Sequence, residues 1–137
     1  MDKKLLIESL VLVDGQEHVL VPRFYEILFA RYPEVRPMFS DDIGPQVQML
    51  HGSIVAVLDH LDDAGWLGET LGALGRKHAD LGVTEPMYDA VAECMIAAME
   101  DLGGDAWTPA MSAEWSTALA AVSSLMLAGV PEREGAV

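Results

Sequence analysis

Apolar residues recur at intervals of three and four along almost the whole chain, which is the spacing of one face of an α-helix. The sequence has no run of alternating polar and apolar residues bounded by hairpin turns, which would indicate β-strands. The pattern therefore predicts an all-α fold of about six or seven helices of unequal length. Unequal helices that cross at steep angles can leave a pocket between them.

Capping residues and prolines divide this pattern into segments. A proline just after a threonine cap marks a helix start, because proline fits the first turn. Thr84 before Pro86 and Thr108 before Pro109 give this signal. The predicted helices cover about residues 2–14, 17–31, 45–61, 70–81, 85–102 and 109–128, and residues 62–69 are expected to form a connection.

The second predicted helix carries an internal proline and a tyrosine on its apolar face. Pro22 indicates either a kink or a helix that restarts at this residue, because proline is accommodated only in a first turn. Tyr25 shares a face with apolar residues three and four positions later, so its buried hydroxyl requires a partner. Pro33 and Pro37 enclose a short corner that ends at Phe39, after which we expect a short helix or none.

Length and charge narrow the class of protein. The 137 residues suffice for one domain, and we expect residues 1–137 to form it, with a frayed tail from about residue 129. Eight basic and 22 acidic residues give a net charge of −14, which argues against nucleic acid or anionic lipid as a partner. The single cysteine, Cys94, excludes an internal disulfide and is expected to be a small buried hydrophobe.

The sequence contains no stretch of roughly 18 apolar residues, so no membrane span is predicted. The apolar run near the N-terminus resembles a signal peptide, but a glutamate interrupts it and no small-residue cleavage site follows. We therefore expect a cytoplasmic protein. Its apolar fraction of 51% permits a homodimer.

Histidines offer little evidence of a multi-ligand metal site or a Ser-His-Asp arrangement. His51 and His60 lie nine residues apart on one predicted helix, and His18 and His60 lie at helix ends among polar residues, where we expect surface positions. We expect His51 at the rim of a pocket or in solvent. His78 differs, because Leu74 four residues earlier places it on an apolar face. By spacing alone, such a histidine is more often a hydrogen-bonded core residue than a ligand.

Gln46 and Leu50 share one face of the helix predicted over residues 45–61. The rest of that face is aliphatic, so the carboxamide of Gln46 would project into an apolar space. A glutamine at a helix start can equally serve as a capping residue, and the spacing leaves both interpretations open.

Several of these segments together resemble one family. "FYEILFARYPEVRPMF", Gln46 with Leu50, "LGRKH" ending in His78, and "YDAV" resemble the bacterial single-domain haemoglobins and the globin domain of the flavohaemoglobins. The similarity covers about residues 20–128 and is strongest in "RYPEVRPMF". The separation of 28 residues between Leu50 and His78 equals that of the family.

The resemblance implies a globin fold around a b-type haem, iron protoporphyrin IX. It implies that His78 is the proximal ligand of the iron and that Phe39 packs on the porphyrin face. Tyr25 and Gln46 would form the distal polar pair, with Leu50 as the apolar residue above the iron.

The resemblance also assigns residues around these. Tyr88 matches the proximal tyrosine of the group, Val83 and Val91 match aliphatic haem contacts, and Lys77 could reach a propionate. The corner after Phe39 is shorter than in the family, and an alignment without a gap would place Met49 rather than Gln46 at the distal position.

Three departures from the family affect the expected chemistry. The late-helix glutamate that completes the proximal network in flavohaemoglobins falls on Val130, and Glu132 beyond Pro131 is a poor substitute. Without that carboxylate, strong activation of oxygen or peroxide is not expected. The reductase module is missing, so turnover needs electrons from elsewhere. Pro22 interrupts the family's helix pattern near Tyr25.

The leading functional prediction is reversible dioxygen binding at a pentacoordinate haem, with carbon monoxide and nitric oxide as further ligands. Nitric oxide dioxygenation is expected if an external reductase is available, and weak peroxidase activity is a lesser alternative. A haem-based gas or redox sensor is the second interpretation. A haem-less all-α interaction protein is the third.

Overall fold

The computed structural model describes residues 1–131, which form helices and no strand. The α-helices of this range are α1 (Lys3–Asp14), α2 (Leu20–Arg31), α3 (Gly44–Asp59), α4 (Ala64–Asp80), α5 (Glu85–Gly103) and α6 (Pro109–Ala128). Two short 3₁₀ helices cover Pro33–Met38 and Gly104–Ala106. The predicted all-α class and helix number are confirmed, as is the lack of a helix directly after the corner.

Helix α2 begins at Leu20, three residues later than predicted. The carboxylate of Asp14, the last residue of α1, sets this start, because its Oδ1 accepts a hydrogen bond from the backbone N of Leu20 at 3.0 Å. Pro22 consequently lies in the first turn, where a missing N–H costs no intrahelical hydrogen bond.

The connection predicted over residues 62–69 is wrong for most of its length, because α4 begins at Ala64. Asp63 caps this helix, and its Oδ1 accepts a hydrogen bond from the backbone N of Trp66 at 3.0 Å. The Trp66 ring also stacks on His60, with ring centroids 3.8 Å apart. Gly65 and Gly68 lie inside this helix, and each costs it only about 1 kcal/mol relative to alanine.

The core lies where α1, α2, α5 and α6 meet. Its fully buried side chains include Leu6, Phe24, Cys94 and Met99, so the expectation for the cysteine is confirmed. None of the helices in residues 1–131 combines the length and apolar character needed to cross a bilayer.

Glycines bring α4 and α6 into backbone contact. A Cβ placed on Gly75 would overlap the main chain of Met126, and one placed on Gly129 would overlap the main chain of Gly72. Arg76 adds a hydrogen bond from its Nη1 to the carbonyl oxygen of Gly129 at 3.3 Å. Since this close approach tolerates no side chain, it fixes the position of α4, the helix that carries His78.

The corner between α2 and α3 is held by an arginine. Nη1 of Arg36 donates to the carbonyl oxygen of Ser40 at 2.9 Å, and Nη2 donates to that of Asp41 at 3.0 Å. Its guanidinium carbon also lies 4.9 Å from the ring centroid of Phe29. These contacts fold the segment after Pro33–Met38 back on α2 and place Phe39 beside that helix.

The chain after α6 forms a short turn, in which the backbone N of Val130 donates to the carbonyl oxygen of Leu127 at 3.1 Å. Residues 132–137 lie outside the described residues, and with them most of the tail that was expected to fray, including Glu132.

Candidate functional site

The residues singled out from the sequence lie on two groups of packed helices, which we call the first and the second support. Within residues 1–131, α3 packs on α1 and α2, whereas α4 packs on α6, and α3 and α4 make no substantial contact with each other. The first support carries Tyr25, Phe39, Gln46 and Leu50, and the second carries Lys77 and His78. Val83, Tyr88 and Val91 follow α4, in the connection to α5 and in its first two turns.

Tyr25 is buried in a cluster of aromatic rings, with 3% of its surface exposed. Its ring centroid lies 5.6 Å from those of both Phe29 and Phe39, and Phe39 meets it edge to face. Burial raises the pKa of the Tyr25 hydroxyl above its ordinary value, and Gln46 opposes this rise only in part. The hydroxyl is therefore a protonated donor at neutral pH.

Gln46 lies in the first turn of α3 and is half-buried. Its side chain lies beside the Tyr25 hydroxyl and, as a hydrogen-bonding group, lowers the pKa of that hydroxyl. Met49, the alternative distal residue, is 60% exposed. Of the two, Gln46 is the one beside Tyr25.

His78 lies near the end of α4 and is half-buried. Its Nδ1 is 2.9 Å from the carbonyl oxygen of Leu74. A carbonyl oxygen can only accept, so Nδ1 carries the proton and a neutral ring has its lone pair on Nε2. A hydrogen bond from one ring nitrogen to a backbone carbonyl, with the other nitrogen free, is the usual arrangement of a metal-ligating histidine.

His60 makes the same kind of bond, from Nδ1 to the carbonyl oxygen of Ala56 at 2.8 Å. Its ring is stacked against Trp66 at an interplanar angle of 11°, so one face is already covered by the indole ring. The hydrogen bond alone therefore does not distinguish a ligand from a structural histidine. A ligand differs from a structural histidine in the groups that surround its ring.

A second protonated tyrosine lies on α5. Burial raises the pKa of Tyr88, which is half-buried in the first turn of α5. The backbone N of Val83 donates to the carbonyl oxygen of His78 at 3.0 Å, which ties the connection to the end of α4. Lys77 is exposed, and Val130, which occupies the place of the family's glutamate, can supply no carboxylate.

Several apolar side chains among the residues singled out from the sequence are partly exposed to solvent. Phe39, Leu50 and Val83 are half-buried, and Val91 is 37% exposed. Large apolar side chains that border the same helices at still higher exposure are Met49 and Leu81. An apolar, planar group with one metal position would cover such surface and use the free nitrogen of His78, so the residues present fit a haem.

The structure also brings together three residues that the sequence kept apart. Nδ1 of His18 and Nε2 of His51 lie 3.1 Å and 3.2 Å from the same oxygen, Oδ2 of Asp14. Residue spacing alone does not indicate that His18 and His51 meet at one carboxylate oxygen. The spacing of Asp14 and His18 is readable in the sequence, but the approach of His51 depends on how α3 packs against α1.

Comparisons with known proteins identify similar sequences and similar folds. The model of the globin family matches residues 22–126. The chain is 28% identical over 131 residues to a flavohemoprotein of Pseudomonas putida and 31% identical over 129 residues to one of Rhodopirellula baltica, covering 92% of this chain in each case. It spans about a third of the length of these relatives, 33% and 31% respectively.

Solved structures give the same fold. A bacterial globin from Campylobacter jejuni superposes with a TM-score of 0.79 at 22% identity, over 93% of this chain and 92% of that one. An engineered carbene transferase from Rhodothermus marinus, a proposed nitric oxide dioxygenase, superposes with a TM-score of 0.77 at 23% identity, over 90% and 87% of the two chains. Because the identities are only 22% and 23%, these superpositions show that the fold is shared, and the fold alone.

Proposed function

The chain belongs to the globin family, and on that basis we propose that it holds a b-type haem and binds dioxygen reversibly. The observation that carries this proposal is the His78 ring, whose Nδ1 proton is directed to the carbonyl oxygen of Leu74 and which, unlike His60, stacks on no aromatic side chain of residues 1–131, so that Nε2 is free for iron. A haem bound there would supply an open coordination position for a diatomic gas.

The proximal residues favour reversible binding over activation. A backbone carbonyl is a weaker acceptor than a carboxylate, so the hydrogen bond to Leu74 leaves His78 close to a neutral imidazole. Val130 cannot strengthen this polarisation. Tyr88, held protonated by burial, would support the position of the ring rather than its charge.

The distal residues would favour a ligand that carries partial negative charge. The protonated hydroxyl of Tyr25 can donate a hydrogen bond, Gln46 can orient or supplement it, and the neighbouring aromatic rings exclude water. One neutral donor contributes about 1 kcal/mol, and more toward a charged acceptor. Dioxygen should gain from this donor far more than carbon monoxide does.

We also propose nitric oxide dioxygenation when an electron source is present. Nitric oxide, dioxygen and one electron give one nitrate ion, so each turnover requires a reductase to deliver that electron. The role of this chain would be to hold dioxygen at the distal side until nitric oxide enters. The likeness to flavohemoproteins over the chain's matched region supports this proposal.

The first prediction tests the iron ligand. Replacing His78 with alanine should remove stable haem from the purified protein, because no other residue of α4 offers an imidazole. Haem content and the absorption spectra of the oxidised, reduced and carbon monoxide forms provide the measurement.

His60→Ala is the matched control, because His60 makes the same backbone hydrogen bond outside the proposed site. It should retain haem. Full haem content in His78→Ala would disprove the assignment of the ligand, and a wild-type protein without haem absorbance would favour the haem-less interaction protein.

A further inference from the structure

We propose that Asp14, His18 and His51 form a binding site for a divalent transition metal ion such as Zn²⁺, separate from the proposed haem. Asp14 ends α1, His18 lies in the turn before α2, and His51 lies on α3. One ligand atom from each residue lies within 4.8 Å of the other two.

The carboxylate of Asp14 is held in a fixed orientation. Its residue is 5% exposed, and its Oδ1 accepts the hydrogen bond from the backbone N of Leu20. The second oxygen, Oδ2, is thereby turned toward the two imidazoles, at 3.1 Å from His18 Nδ1 and 3.2 Å from His51 Nε2. A buried carboxylate must be paired with a positive charge or coordinate a metal, and here its oxygen faces two ring nitrogens that could share the same ion.

These separations suit coordination to a single small ion. Zinc binds imidazole nitrogen and carboxylate oxygen at about 2.0–2.1 Å, so ligand atoms at the corners of a tetrahedron lie about 3.3 Å apart. The two observed distances need little change to reach that value. The rings meet edge to face, at 71° with centroids 4.4 Å apart, so both nitrogens approach the oxygen without steric conflict.

The turn before α2 adopts an unusual conformation to complete this geometry. His18 has a φ of 53° and is the one residue other than glycine with positive φ in residues 1–131. This left-handed conformation is unfavourable for a side chain with a Cβ. Here it directs the His18 ring back toward Asp14, within hydrogen-bonding distance.

The site is open enough for an ion to enter. The His18 side chain is 61% exposed and that of His51 is 28% exposed, whereas that of Asp14 is 6% exposed. Water could therefore complete the coordination from the His18 side. Two imidazoles and one carboxylate suit zinc, copper, nickel or iron better than magnesium or calcium, which prefer oxygen ligands.

The surroundings favour cations in general, because the whole chain has a net charge of −14. An ion bound here would connect the α1–α2 turn to α3 one residue after Leu50. The metal ion would then hold together the first support, which carries the proposed distal residues. The inference does not depend on haem, because no residue of this site is assigned to the haem.

The second prediction is that the full-length purified protein binds one Zn²⁺ per chain at this site in equilibrium dialysis, and that Mg²⁺ does not compete. His18→Gln and His51→Gln should each weaken zinc binding roughly tenfold or more, since loss of a residue that merely supports a ligand already costs about 10–100-fold. His60→Gln is the matched control and should bind zinc like the wild type.

Zinc should also raise the unfolding temperature of the wild type and of the control, but not that of the two variants. His18 lies on an exposed turn, so His18→Gln is expected to fold and decides the question even if His51→Gln does not. Absence of stoichiometric zinc, or equal affinity in His18→Gln and the wild type, would show that the three residues form only a hydrogen-bonded network.

Discussion

A buried hydroxyl connects the two ends of the described chain. The Oγ of Ser9 accepts a hydrogen bond from Nε1 of Trp115 at 2.7 Å, and Ser9 has no exposed surface. The same hydroxyl can donate to the carbonyl oxygen of Leu5 at 2.7 Å. The Ser9 hydroxyl stabilises the fold because it accepts from the buried indole N–H of Trp115, which cannot bind water instead.

The third prediction follows from this hydrogen bond. Ser9→Ala should lower the free energy of unfolding by about 1–3 kcal/mol, because it leaves the Trp115 N–H buried without an acceptor. Urea denaturation provides the measurement. Ser53→Ala, which removes an exposed hydroxyl from α3, is the control and should change stability by less than about 0.5 kcal/mol. Equal effects of the two variants would contradict the role given to Ser9.

The fourth prediction concerns the proposed gas ligand. Tyr25→Phe should speed dioxygen dissociation roughly fivefold, which corresponds to loss of one hydrogen bond of about 1 kcal/mol. Stopped-flow or flash-photolysis measurements give the rate. Carbon monoxide dissociation should change much less.

Tyr32→Phe is the control for this experiment, because the Tyr32 hydroxyl donates to Glu93 at 2.7 Å and serves to join α2 to α5. Its dissociation rate should equal that of the wild type. An unchanged rate in Tyr25→Phe would remove Tyr25 from the proposed mechanism.

Single residues differ in how far the sequence predicts them. Spacing placed Tyr25 and Cys94 on buried faces, and both are buried. The same spacing could not show that His51 approaches Asp14, because no local pattern records which helix packs on which. Contacts between distant segments, such as Ser9 with Trp115, escape sequence reasoning for the same reason.

Backbone contact between α4 and α6 is the strictest packing constraint among the helices. The fifth prediction is that Gly75→Ala destabilises the protein by about 1–3 kcal/mol or more, because the new Cβ must displace the main chain of Met126. Since α4 carries His78, haem should also bind more weakly. Denaturant titration and haem retention provide the measurements.

Gly68→Ala is a matched control on the same helix, because a Cβ at that residue would meet no atom within 4 Å. It should stabilise the protein by up to about 1 kcal/mol through helix propensity alone. Equal effects of the two substitutions would show that propensity, rather than contact with α6, determines the stability of α4.

Helix boundaries were predictable where a cap and a proline agree. Thr108 caps α6 as expected, with its Oγ1 accepting from the backbone N of Met111 at 3.2 Å, and α5 begins directly after Thr84. The start of α4 at Ala64 was missed, because the segment was expected to be a connection. There the cap of Asp63 and the stack on His60 outweigh the low helix propensity of glycine.

For the molecule as a whole, the helical period was sufficient to predict the fold class, because it recurs in almost every segment. It could not predict the division of the proposed pocket between two supports, which follows from α3 packing on α1 and α2 and α4 packing on α6. The assignments of individual residues to haem, from Phe39 to Val91, all stay predictions, and so do the cytoplasmic location and the homodimer.

Ion pairs on the surface join α2 to α5. Arg31 donates to Glu93 at 2.8 Å alongside the Tyr32 hydroxyl, and Arg23 donates to Asp101 at 2.9 Å, so α2 is held to α5 at two points. Both pairs are exposed and should contribute little individually. Their geometric effect is to keep α2, which carries Tyr25, aligned with α5, the helix that follows α4.

The glycine contact between α4 and α6 also determines which helices are suitable for protein engineering. On α4, the main chain of α6 limits which side chains can be introduced near His78, so redesign there would trade stability for each gain in reactivity. On α3, Met49 is 60% exposed and can accept replacements of different size and polarity, whereas the neighbouring Leu50 packs against the core. Libraries that aim to change which small molecule this scaffold accepts should therefore vary α3 and leave the glycines of α4 untouched.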